Sequence, residues 1–126
     1  MKQIGHLLLV VAAPFCSAIS SGADITWTTS CAKITSVTNY SAYAKEFVIT
    51  VAPGPKGCNG EISGVKGAIP FSIGKEGITE ANLASLFETA LTAYTSGHRV
   101  MVGYDASTEA CYGMAISVGG LSGECP

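Results

Sequence analysis

The chain has 126 residues, a formal net charge of −2 and 13% charged residues. That is the size of one small domain, and the lack of any basic run excludes the positive footprint by which proteins hold nucleic acid. No apolar run reaches the ~20 residues that a membrane-spanning helix needs, which argues against membrane insertion.

Residues 1–23 read as a secretory signal peptide: Lys2 and His6 precede the apolar run 7–13, and small residues follow. Ser21-Gly22-Ala23 supplies small residues at −3 and −1 of a cleavage site, with Cys16-Ser17-Ala18 as a second candidate. Phe15 is too bulky in front of Cys16 for a lipoprotein signal. Cleavage after Ala23 leaves residues 24–126, with six Lys plus Arg against nine Asp plus Glu, and implies secretion, through the periplasm if the source is bacterial. This segment keeps Cys31, Cys58, Cys111 and Cys125, and an even number in a short exported chain reads as two disulfides. The expected pairing is Cys58–Cys111, joining two loops, with Cys31–Cys125 tying the ends; Cys31–Cys58 with Cys111–Cys125 is the alternative. No C-x-x-C occurs, so no metal site is expected.

Trp27 to Ser30 forms a short polar lead-in containing the single tryptophan. Residues 31–38 are rich in β-branched side chains and read as the first strand. Asn39-Tyr40-Ser41-Ala42 is turn chemistry, and its first three residues match a glycosylation sequon. Residues 46–51 are the clearest strand, alternating Phe47, Ile49 and Val51 against Val48 and Thr50 until Pro53 and Pro55 end it. Residues 54–77 carry seven glycines, too many for a helix. They leave room for a third strand near 68–73 and a short one at 61–65, and Gly74-Lys75-Glu76-Gly77 then turns the chain.

Leu83, Leu86, Phe87, Ala90, Leu91 and Tyr94 recur at the helical period and predict an amphipathic helix whose stripe faces the core. Thr79 suits its N-cap, Glu80 its positive end, and Gly97 a left-handed stop. Residues 99–104 read as the fourth strand, with Val100 and Val102 on one face and Met101 and Gly103 on the other. A polar loop, 105–110, leads to the fifth strand at 112–118. Three strands, one helix and two strands make a mainly β protein, and the order fits a five-stranded OB-fold barrel with the helix between strands 3 and 4. An α+β sheet with the helix on one face is the alternative.

Little in this pattern favours an enzyme. His98 follows the helix stop, where it favours the C-terminal dipole; Gly74-Lys75 lacks the rest of a phosphate loop; Asp105 and Glu109 share a loop as solvated charges. With the cysteines paired, no thiolate nucleophile remains, and no cofactor is expected. Binding has more support, since OB folds present strand ends and loops to oligosaccharides and oligonucleotides, and the negative charge favours sugar. Trp27, Ser30, Tyr104 and Tyr112 supply aromatic faces and a hydroxyl near strand ends, and Asp105 adds a carboxylate next to Tyr104.

The run from Ala90 to Val100 through Tyr94-Thr95-Ser96-Gly97, followed by Val102 and Tyr104, resembles the helix end and fourth strand of the B subunits of subtilase cytotoxin and pertussis-like AB5 toxins. Ser30, with Ile34-Thr35 after it, is similar to their first strand. The resemblance implies a homopentamer of OB-fold subunits that binds cell-surface glycans, sialic acid among them, and carries a catalytic A subunit. It implies glycan contacts at Ser30 and Tyr104, and a subunit contact on the helix face of Ser85, Glu88, Thr89 and Thr92. It departs from that pattern at Thr26, Thr28, Thr29 and Met101, where acidic, aromatic and basic residues stand in those toxins. A monomeric secreted or periplasmic protein without a toxin partner is the alternative.

Overall fold

The computed structural model describes residues 25–28, 30–39, 45–107 and 109–125; the expected signal segment and Tyr40-Ser41 of the sequon lie outside them. In chain order the elements are β1 (Thr26–Trp27), β2 (Lys33–Asn39), β3 (Glu46–Ala52), β4 (Glu61–Ile62), β5 (Val65–Lys66), β6 (Ala68–Ser72), α1 (Glu80–Ser96), β7 (Val100–Asp105) and β8 (Tyr112–Val118). Among the described residues the protein is mainly β with a single helix, but it has eight strands in three small sheets rather than five. The five longer strands match those read from periodicity. The other three are two residues each: β4 and β5 stand where the sequence predicts one short strand at 61–65, and β1 lies in what reads only as a lead-in. β4 and β5 form a small hairpin, and the lead-in at β1 pairs antiparallel with β7, Thr26 opposite Tyr104.

The two larger sheets, β2-β3-β6 and β1-β7-β8, are antiparallel and share one core. An isolated bridge between Ala32 and Val100 links them on one side, and no hydrogen-bonded ladder joins β6 to β8 among the described residues. β3 is central in its sheet and buried on both faces. Phe47, Ile49 and Val51 enter the common core, with the Phe47 ring stacked on Phe71 at 4.8 Å and Phe87 edge-on to it at 5.4 Å. On the other face the buried Thr50 hydroxyl is satisfied by those of Ser36 at 2.6 Å and Thr35 at 2.7 Å.

The helix ends form as expected. Thr79 Oγ1 accepts from the Asn82 N–H, Asn82 Oδ1 accepts from the Thr79 N–H, and Gly97 stops the helix at φ 76°. The apolar stripe does not lie fully against the core, which corrects the expected face. Ala90 and Ala93 are buried, and Leu83, Leu86 and Phe87 are half-buried against the core. Leu91 and Tyr94 are 41% and 45% exposed. The close approach is made by the two alanines, so the bulky residues flanking that line overhang the sheet edge.

The disulfides are Cys31–Cys125 and Cys58–Cys111, the expected pairing. They close sequence separations of 94 and 53 residues, and each is worth roughly 2–4 kcal/mol through the unfolded chain.

The two sheets also pack closely where Gly113 of β8 meets Phe71 of β6: a Cβ at Gly113 would fall 2.5 Å from that ring. Gly113→Ala is expected to destabilise the fold by about 1–3 kcal/mol through overpacking. A urea midpoint equal to the wild-type value contradicts this.

Candidate functional site

A cleft of about 450 Å³ opens at one end of the shared core. One wall is residues 59–62, leading into β4; the other is residues 109–112, leading into β8; Ala68 and Pro70 line it and Lys75 borders it. The Cys58–Cys111 disulfide joins the bases of the two walls, and the Asn59 N–H donates to the Glu109 carbonyl at 2.8 Å beside it. The loop before the first wall is held from inside the core. The Tyr104 hydroxyl accepts from the Lys56 N–H at 2.8 Å and donates to the Lys56 carbonyl at 3.2 Å.

The turn at residues 74–77 places two side chains. Its backbone is closed by Lys75 N–H to the Ser72 carbonyl at 3.1 Å and Gly74 N–H to the Ile78 carbonyl at 2.9 Å. Lys75 sets its ammonium 5.4 Å from the centroid of the Tyr112 ring. Glu76 sits in the left-handed region at φ 55°, which turns its carboxyl inward toward Asp105. Asp105 is buried, and its Oδ1 accepts from the Ser107 hydroxyl at 2.5 Å and the Ser107 N–H at 2.8 Å.

The two carboxyl groups titrate in opposite directions. Burial, then the hydrogen bond to Asp105 and its charge, push Glu76 up, with Lys75 opposing. The Ser107 hydroxyl and N–H hold Asp105 down against its burial, helped by the Glu76 hydrogen bond. Each group therefore biases the other, favouring the proton on Glu76 over Asp105. Glu76 Oε1 is buried with no hydrogen-bond partner.

The residues singled out from sequence are dispersed. Ser30 is exposed, in the irregular stretch between Thr28, which pairs with Val102, and Ala32, which pairs with Val100. Trp27 is half-buried, and its ring lies where a Cβ on Gly103 would stand, 3.2 Å away. Tyr104 is 2% exposed, with its hydroxyl engaged by Lys56, so its ring serves the core. Asp105 lies behind the cleft. Of the aromatic candidates only Tyr112 lines the cleft, and Glu109 stands beside it. Asn59, Glu61 and Lys75 are the residues that sequence reading missed as site groups. The four-residue turn between Gly74 and Gly77 was their one local signal, and it marks a turn without saying which loop it meets.

Two other surfaces adjoin the helix. A groove of about 360 Å³ runs between β3 and α1 beside Phe47, Leu83 and Phe87. A shallower hollow is lined by Ser85, Glu88, Thr89, Thr92 and Val118. No group of three or more His, Cys, Asp or Glu is placed to hold a metal ion among the described residues.

A family model described as a family of unknown function, DUF5992, matches residues 6–120. No curated protein and no solved structure matches the chain.

The carboxyl pair sets a pH dependence. Glu76, raised above its ordinary 4.5, contributes stability that is complete below that value and is lost as pH rises through its raised value. Asp105, lowered from 3.8, contributes stability that is complete above 3.8 and is lost as pH falls through its lowered value. Glu76→Gln keeps a donor for Asp105 without a titration. It is expected to flatten the decline that begins above pH 4.5 while leaving the acid one, as read from urea midpoints across pH. The same slope above pH 4.5 in both proteins overturns the assignment.

Proposed function

The chain belongs to the DUF5992 family, and we propose that it is an exported glycan-binding subunit of the AB5 B type, a homopentamer that carries a separate catalytic A subunit rather than an enzyme itself. The observation that carries the binding reading is the cleft beside Tyr112. It combines an aromatic ring, the Asn59 amide and two carboxylates, Glu61 and Glu109, on walls stapled by a disulfide. Sugars need that combination: a flat apolar face for their C–H surface and polar groups at the rim. Rigid walls also reduce the ordering cost of binding.

The OB-barrel form is supported by the pairing of β1 with β7 and by the approach of β6 to β8 at Gly113. The two disulfides and the lack, among the described residues, of a helix long and apolar enough to cross a membrane are compatible with secretion. The helix face of Ser85, Glu88, Thr89 and Thr92 is small and lightly charged, and next to the half-exposed Val118 it offers the subunit contact.

The oxidised wild-type protein is expected to bind members of a glycan array, and Tyr112→Ala to lose about tenfold or more in affinity, the scale of one lost aromatic platform. An array with no binding by the wild type overturns the glycan reading. Loss in Ser30→Ala with binding kept in Tyr112→Ala moves the site to the β1 end. Light scattering of residues 24–126 is expected to give five times the chain mass, and Thr89→Arg to reduce it to one. A single-chain mass for the wild type favours the monomeric alternative.

A further inference from the structure

The cleft already holds a cation. The Lys75 ammonium rests over the Tyr112 ring and makes no ion pair among the described residues, although the carboxylates of Glu61 and Glu109 line the same cavity. Neither carboxylate has a side-chain partner among the described residues, Glu61 standing opposite Lys66 across the β4–β5 hairpin without an ion pair to it. One ammonium against two carboxylates leaves the cavity with a formal charge of −1. An anionic sugar such as a sialoside would therefore meet net repulsion at this place. A ligand ammonium would meet an aromatic face and two unpaired acceptors.

We propose that this cleft binds a ligand bearing a protonated primary amine, whose ammonium replaces that of Lys75 over the Tyr112 ring and is held between Glu61 and Glu109. Lys75 is exposed, and its turn is closed through backbone hydrogen bonds, so its side chain can swing off the ring without opening the turn. In the empty cleft the lysine covers the aromatic face; on binding it moves into solvent. The same chemistry is offered by an amino sugar and by a free polyamine. The amino sugar is the form that rests on the glycan reading of the cleft.

The test is calorimetric titration of the oxidised protein at low ionic strength, where exposed charges are least screened. The probes are a glucosamine tetramer, its fully N-acetylated counterpart and spermidine. The glucosamine tetramer is expected to bind at least about tenfold more tightly than the acetylated one, the scale of one cation–aromatic contact together with an ion pair. Lys75→Met is expected to tighten binding several-fold, because a competing cation is gone. The double variant Glu61→Gln with Glu109→Gln is expected to weaken it by about tenfold. All three positions are exposed, so the fold is retained. Equal binding of the two tetramers overturns the ammonium proposal and leaves the glycan reading standing. Spermidine binding as tightly as the glucosamine tetramer upholds the ammonium and removes the sugar. No binding by any probe overturns the ammonium proposal and leaves the glycan reading to the array, and unchanged or weaker binding in Lys75→Met overturns the displacement of Lys75.

Discussion

The Cys58–Cys111 bridge is the constraint on which the candidate site depends. It joins the loop after β3 to the loop before β8, segments that no ladder pairs among the described residues. The Asn59–Glu109 hydrogen bond acts on the same two segments, and the Tyr104 hydroxyl holds Lys56 of the first. In water a single backbone hydrogen bond is worth only about 1 kcal/mol, too little to hold seven glycines' worth of loop. A covalent link held from below by a buried tyrosine makes two loops into two walls.

Beneath the walls, the core is small and its aromatic contacts are few. Phe47 touches Phe71 on its own sheet and Phe87 on the helix, so one ring ties the sheet to the helix. The helix sits close through Ala90 and Ala93, and that closeness leaves Leu91 and Tyr94 outside. Periodicity alone puts all six stripe residues on one face, which is correct for the helix surface. It cannot say how wide a strip of that surface the sheets will cover. The width depends on strand spacing and on which small residue makes the contact.

The polar residues divide in a similar way. Tyr104, next to Asp105 in sequence and attractive as a ligand contact, turns into the core because alternation along β7 puts it on the same face as Val100 and Val102. That alternation was visible in the residues themselves. Its consequence for the hydroxyl was not, because the partner is a backbone 48 residues away. Lys75, Glu76, Asp105 and Tyr112 come together from a turn, a strand end and a strand start. The Asp105–Tyr112 register in the β7–β8 ladder and the left-handed turn at Glu76 bring them there.

Local patterns account for a good deal here: the helix and both its caps, the five longer strands to within two residues at their ends, the alternating faces of β7, and four cysteines in two pairs. Each of these follows from preferences that act over a few residues, or from simple parity. The third dimension decided the rest: the two-residue strands, the share of the helix stripe that is buried, the inward turn of Tyr104, and the meeting of a lysine, an aromatic ring and two carboxylates in one cleft. These arise from segments brought together by pairing across 53 and 94 residues. A glycine-rich loop carries little periodic signal about where it will be pinned, because its conformation is set by what it is tied to.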